Sequence, residues 1–364
     1  MGCAAGRGGS ALGCLPRRTD GGLRMTIADA PSHPAASQGL DTHNEDRENS
    51  LLALARAVRD TGYRFTTVTP ATHARVNARP ENALARSLRD VLGWSRPFRD
   101  GLIPAELTDL MERAGVLHRS EGPDGSLLKA RIRLSSLDDT LFLHAAYPPL
   151  AADSVFFGPD TMRFAEAVLA HLEERARAGH PAPRRVADIG CGSGAAGILV
   201  AKRLPEAEVV LVDINPAALR AARINARLAG VGNVRPVHSD MLSNVEGSFD
   251  LIVSNPPFMV DSGGRAYRHG GGPLGAGLSL RVVEAATERL APGGSLVLFT
   301  GSAIVEGHDG FREEASAICA RAGLEVTYRE FDPDEYGEEL DDPGYASAER
   351  IALVVLTATR PTGP

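Results

Sequence analysis

The run Val186-Ala187-Asp188-Ile189-Gly190-Cys191-Gly192-Ser193-Gly194 joins a short buried strand to a glycine-rich turn, and a helix from Ala195 to Leu204 follows at once. Glycines at alternate positions let the backbone take positive φ and let a ligand come close to the main chain. Nicotinamide and flavin sites use a related turn, but two details differ here. An acid, Asp188, stands two residues before the first glycine. Gly190, Gly192 and Gly194 do not keep the dinucleotide spacing, although Gly197 supplies a Gly-x-x-Gly counted from Gly194. Cys191 is read as a small packing residue.

Outward from this turn, strand and helix alternate. An amphipathic helix covers Met162 to Ala176 and a strand Arg185 to Ile189. Beyond the turn come a strand Glu208 to Val212, a helix Pro216 to Ala229, and strands Val234 to His238 and Phe249 to Ser254. A helix Leu278 to Leu290, a strand Ser295 to Thr300 and a helix Phe311 to Ala322 follow. Such alternation predicts a doubly wound, mostly parallel sheet with helices on both faces. The closing strands, Leu324 to Phe331 and Arg350 to Thr359, are separated only by the acidic, turn-rich stretch Asp332 to Tyr345, so they are expected to pair antiparallel.

Three further motifs sit at strand ends. Asp213 closes its strand 23 residues after Gly190, the place from which an acid can accept bonds from both ribose hydroxyls. It could instead cap the next helix, but Asn215 is available for that. Ser239-Asp240-Met241 follows the third strand; Asp240 could accept from an adenine amine while Met241 covers the ring. Asn255-Pro256-Pro257-Phe258 follows the strand ending at Ser254. Two prolines fix the backbone and remove two donors. The Asn255 amide oxygen and the Pro256 carbonyl can then hold both hydrogens of an –NH₂ group, and Phe258 offers a flat face. That arrangement suits a planar nitrogen whose lone pair must be freed for reaction.

Taken in this order and spacing, these motifs resemble a class I S-adenosylmethionine-dependent methyltransferase of the Asn-Pro-Pro-Tyr/Phe branch, which includes release-factor glutamine and ribosomal RNA guanine and adenine amino-methyltransferases. The resemblance is close over roughly residues 155–300 and looser beyond. It implies a Rossmann-like seven-stranded sheet with the last strand antiparallel. It also implies S-adenosyl-L-methionine held by Asp188, Gly190, Gly192, Gly194, Asp213, Ile214, Asp240, Met241 and Asn255, with Asn255, Pro256 and Phe258 as the catalytic group. Phe157-Gly158-Pro159-Asp160-Thr161 is similar to the Arg-Pro-Asp-Thr-Glu loop of the glutamine enzymes, with Gly158 for Arg and Met162 for Glu. Phe258 is more like the guanine enzymes.

Residues 259–274 hold Arg265, Tyr267, Arg268 and His269 between runs of glycine, and read as a substrate loop. Residues 1–45, rich in Gly, Ala, Ser and Pro, read as a disordered tail, with Met25 an alternative start. Residues 46–150 read as a smaller α+β domain for substrate recognition, in front of a catalytic domain over 151–364. Leu51, Leu52, Leu54, Ala55 and Val58 share one helical face, and Asn82 to Leu92 and Ala105 to Ala114 are further helices, the last opened by Pro104. Strands at 116–118, 127–134 and 140–144, the first two joined by Gly122-Pro123-Asp124-Gly125, complete the outline of a winged-helix unit.

The chain of 364 residues has a net charge of −7, unevenly spread: nine Arg in residues 56–99 face only Asp60, Glu81 and Asp90. The acidic run Glu330 to Asp342 would repel a polyanion. Four cysteines without metal-type spacing, and no long apolar run, point to a reduced cytoplasmic setting with no metal and no membrane span. The expected partner is a protein or RNA substrate, with the oligomeric state open. A small-molecule N- or O-methyltransferase, a non-catalytic S-adenosylmethionine-sensing regulator and a nicotinamide oxidoreductase are the rival readings. The intact Asn255-Pro256-Pro257-Phe258 disfavours the last two.

Overall fold

The computed structural model describes residues 35–122, 125–149, 151, 153–261 and 268–363. The chain divides into two units, 1–42 and 43–364. Of the first, only residues 35–42 are described, and they are helical; Met25 and the rest of the expected tail lie outside the described residues. The expected tail runs to residue 45, whereas helix α1 spans Ala35–Asp60. It starts just past Pro34.

The 43–364 unit continues with α2 (Pro70–Asn77), α3 (Leu88–Leu92) and α4 (Ala105–Arg113). Two antiparallel hairpins follow, β1 (Leu117–Gly122) with β2 (Gly125–Ala130), and β3 (Ile132–Leu137) with β4 (Thr140–Ala145). Then come α5 (Pro159–Arg177), β5 (Arg185–Ile189), α6 (Ala195–Arg203), β6 (Glu208–Asp213), α7 (Pro216–Ala229), β7 (Val234–His238) and β8 (Phe249–Ser254). The chain closes with α8 (Gly277–Arg289), β9 (Leu290–Val305), β10 (His308–Asp309), α9 (Gly310–Arg321), β11 (Glu325–Asp332) and β12 (Arg350–Thr359).

The main sheet runs β11-β12-β9-β8-β5-β6-β7, with β10 against β9. The pairs from β9 to β7 are parallel, and β12 is antiparallel to both β9 and β11, as expected. Alternate residues of each strand feed two apolar layers. Val186, Val209, Leu211, Val297 and Phe299 pack on one face under α5, α6 and α7, and Ala187, Val210, Val212, Leu296 and Leu298 pack on the other under α8 and α9.

The N-terminal part differs from expectation in four places. The single helix over 82–92 is broken, because Ser87 caps α3 by accepting from the Asp90 N–H and the Ala85 N–H turns to the Pro97 carbonyl. The strand over 127–134 is two strands parted at Arg131, whose N–H bonds to the Val116 carbonyl. Helix α2 was not foreseen; Thr69 caps it ahead of Pro70. Pro104 is the residue before α4 rather than its first residue. A third apolar cluster joins Leu52, Leu54, Ala55, Val58, Phe98, Met111 and Leu134 to Ala218, Ala221, Ile224 and Leu228 of α7. Residues on both sides of position 150 thus share one core.

Candidate active site

Strands β5 and β8 are parallel neighbours with Ile189 opposite Ser254. From β5 the sheet grows one way through β6, and from β8 the other way through β9. The loops after two such strands diverge and leave a crevice at their carboxyl ends. The glycine turn stands on one side of it and Asn255 on the other. The Ser254 hydroxyl donates to the Ile189 carbonyl at 2.8 Å and ties the two strand ends together.

In the turn, Gly190, Gly192 and Gly194 have φ of 68°, 53° and 77°, a region that a side chain makes costly. A Cβ on Gly190 or Gly192 would meet nothing within 4 Å, so these two border open space. One on Gly194 would press on Ile198, Ala222 and Leu211. Asp188 is buried beneath the turn. Its Oδ2 accepts from the Gly197 N–H at 2.9 Å, its Oδ1 has no partner, and burial lifts its pKa to about 7. Asp188 therefore braces the first turn of α6. Gly197 is needed there, since a Cβ would stand 2.3 Å from Leu211 and 3.0 Å from the Asp188 carboxylate.

Asp213 closes β6 and holds the turn from the other side. Its Oδ2 accepts from the Gly192 N–H at 2.9 Å and its Oδ1 from the Asn215 N–H at 2.8 Å. Burial pushes its pKa up, and these backbone donors oppose the rise. Each oxygen keeps a further lone pair for a ligand. Asn215 caps α7 through the Ala217 N–H, the role the sequence assigned it. Ile214, next to Asp213, is 59 % exposed, a large apolar side chain left open beside the crevice. Asp240 is exposed, and both its carboxylate oxygens accept from Arg281 Nη2 of α8, at 3.0 and 2.9 Å. Met241 has φ 48° and packs toward the α8 face.

On the other side, Asn255 Oδ1 is buried without a hydrogen-bond partner. Pro256 and Phe258 are buried. Phe258 lies over Gly301 of β9, where a Cβ would come 2.5 Å from the ring, and Gly270 and Gly275 press on its backbone. Arg265 and Tyr267 of the expected substrate loop lie outside the described residues. Arg268 and His269 are described: Met259 donates to the Arg268 carbonyl at 3.0 Å and pairs with His269 in a parallel bridge. The Asp261 N–H points at His269 Nδ1 at 3.4 Å.

The acidic stretch 332–345 folds against this motif, a placement that charge reading alone missed. Tyr336 meets Phe258 edge-on at 5.7 Å, Glu339 pairs with Arg268, and Glu335 pairs with Arg163 of α5 at 2.6 Å. The Tyr345 hydroxyl accepts from the Val260 N–H at 2.8 Å. Asp160, in the loop singled out by sequence, lies beside Tyr336 and Arg163, and burial raises its pKa. Sequence reasoning also passed over Asn225 and Arg281. Their only signal was a polar residue amid an apolar helix face for the first, and none for the second.

The model of the family described as "Methyltransferase small domain" matches residues 153–306. Residues 153–306 are therefore similar to that family. The matched residues take in the glycine turn, Asp213, Asp240 and Asn255, together with all of β8 and β9. Among curated relatives, a release factor glutamine methyltransferase of Deinococcus radiodurans is 38% identical over 35% of this chain and 48% of its own. A 4-amino-L-phenylalanine/4-methylamino-L-phenylalanine methyltransferase of Streptomyces pristinaespiralis is 33% identical over 40% of this chain and 52% of its own. A ribosomal RNA small subunit methyltransferase C of Haemophilus influenzae is 42% identical over 23% of this chain and 25% of its own. The likeness therefore spans about half the length of the first two relatives and a quarter of the third. Among the described residues no helix is long and apolar enough to cross a membrane, and no cluster of ligating side chains could hold a metal ion.

Proposed function

We propose that this protein transfers a methyl group from S-adenosyl-L-methionine to a planar nitrogen, an amide or an exocyclic base amine, of a protein or an RNA. The observation that carries the reading is the orphaned Asn255 Oδ1, buried at the end of β8 across the crevice from the glycine turn. A buried acceptor without a partner is costly unless a ligand supplies the donor.

The residues present fit the cofactor. Gly190 and Gly192 border open space, Asp213 keeps lone pairs for ribose hydroxyls, and Ile214 offers an apolar face to a planar ring. Asp240 would reach an adenine amine only in competition with Arg281. The bound cofactor supplies a methyl group on a cationic sulfur. Asn255 Oδ1 and the Pro256 carbonyl accept the two hydrogens of the acceptor –NH₂, and Phe258 holds its plane, so that the lone pair turns toward the methyl carbon. Transfer of the methyl group from sulfur to this nitrogen would leave a surplus proton there for water to take. Orientation of this kind accounts for up to about 7–11 kcal/mol of a barrier. No side chain has to act as a strong base.

The relatives' names speak of a glutamine, a ribosomal RNA and an aminophenylalanine, each with a nitrogen of this type. Eight of the nine arginines in residues 56–99 are exposed, Arg96 being buried against Asp90, and this favours a polyanion on the N-terminal segment. Glu335 and Glu339 beside the acceptor motif favour a neutral group in the pocket itself. Both fit a substrate that docks on the residue 46–150 segment and presents one nitrogen to Asn255. Asn255→Ala is expected to keep its affinity for S-adenosylhomocysteine and to lose turnover by about 100-fold; turnover at the wild-type rate would remove Asn255 from this role.

A further inference from the structure

Asn225 stands in the middle of α7, on a face otherwise made of Ala, Leu and Ile, and it is completely buried. Asparagine is a poor choice for an apolar helix face, so its bonds decide what it is for. Both amide hydrogens and the oxygen are used. Nδ2 donates to the Leu143 carbonyl at 3.0 Å and to the Ser193 carbonyl at 2.9 Å, and Oδ1 accepts from the Leu143 N–H at 2.8 Å. Leu143 belongs to β4, whose other edge is taken by β3. The side-chain amide thus completes the open edge of β4 as a neighbouring peptide would. Ser193 belongs to the glycine turn, between Gly192 and Gly194 with their positive φ.

Two other contacts run in parallel. Ala145 donates to the Val155 carbonyl at 3.0 Å, and His144 stacks on Phe157 at 4.9 Å and 17°. The strand before residue 150 is therefore stitched both to the glycine turn and to the segment that leads into Asp160.

We infer that Asn225 is a positioning residue for the cofactor: it locks the Ser193 peptide to β4, so that a hairpin outside the matched residues 153–306 fixes the shape of the turn that receives the ligand. This rests on the cofactor reading above. Removing the amide leaves the Ser193–Gly194 peptide held only by the Gly194 N–H on the Cys191 carbonyl at 2.8 Å, and this looser turn costs affinity without any ligand atom being touched.

Hydrogen exchange on the wild-type full chain tests this without a variant. S-adenosylhomocysteine should slow exchange in the turn and, at least fivefold, at the Leu143 amide, while the Leu128 amide, which bonds to Phe98, keeps its rate. Protection of the turn with no change at Leu143 would overturn the inference. Absence of protection in the turn itself would instead overturn the cofactor reading. Asn225→Ser is a second arm, read by calorimetry against Ile224→Val, a change on the same helix in the same core. The expected result is at least tenfold weaker binding for Asn225→Ser and unchanged binding for Ile224→Val at a temperature where both are folded. Equal affinities for the two variants would also overturn it.

Discussion

Asp188 and Asp213 both looked like ligand-binding acids at strand ends, and the structure separates them. Asp188 is 1 % exposed and spends its one bond on Gly197, while Asp213 has two backbone donors and stays at the crevice. The sequence could not make this distinction, because both positions carry the same side chain after the same kind of strand. The separation has a pH consequence. The unfolded Asp188 carboxyl ionises near the usual ~3.9, and the folded one near 7. Below the first value both states are protonated and nothing is lost. As pH rises toward 7 the unfolded state sheds its proton first, so stability falls, by about 4 kcal/mol across the whole range. Asp188→Asn keeps the acceptor for Gly197 and removes the titration. Its melting temperature should therefore gain on wild type from pH 5 up to about pH 7 and level off above that, in the absence of ligand; a constant gap from pH 5 to pH 7 would show that the carboxyl is not held protonated. Asp213→Ala, by contrast, should loosen the turn and weaken S-adenosylhomocysteine binding by at least tenfold in calorimetry, and unchanged affinity would remove it from the cofactor site.

Several elements of the main sheet and its helices were legible to the residue. Strand β5, helix α7 and strands β7 and β8 have the bounds read from hydrophobic runs and caps, because β-branched runs and the Asn215-Pro216 start leave few alternatives. Short N-terminal pieces were not. The 82–92 stretch has a helical apolar pattern, yet Ser87 and Asp90 bond to nearby backbone and restart the helix at Leu88. Nor does any local pattern reveal that the acidic stretch 332–345 lies against Phe258, since that contact depends on β11 and β12 bringing the stretch back over the end of β9. Strand β9 itself contributes one testable device. Gly301 leaves the space that the Phe258 ring fills. Gly301→Ala must displace the ring, at a cost of about 1–3 kcal/mol in stability, and should lower turnover at least tenfold with cofactor affinity intact. Full turnover would mean that the ring position is immaterial.

At the scale of the molecule, the uneven charge gains a location. The acidic excess of the second part gathers partly at the acceptor motif, as Glu335 and Glu339 on Arg163 and Arg268, while residues 56–99 carry an excess of exposed arginines over acids. Length and charge suggested two separable parts. The division made at residue 150 is not one of packing, because the apolar cluster under α1 and α4 is completed by Ala218, Ala221, Ile224 and Leu228 of α7. A fragment comprising 151–364 would expose that face. It should lose cooperative unfolding and bind S-adenosylhomocysteine no better than a denatured control, whereas the full chain melts in one transition; a fragment that melts cooperatively and binds normally would restore the picture of independent domains.

The central claim is methyl transfer at Asn255, and it is tested most directly by incubating the full chain with methyl-labelled S-adenosylmethionine and desalted cell extract, then digesting with RNase or protease. The account predicts label in a macromolecular fraction for wild type, released by one of the two digestions, and about 100-fold less for Asn255→Ala at matched cofactor binding. Equal labelling by the two proteins, or no labelling by wild type, would contradict it.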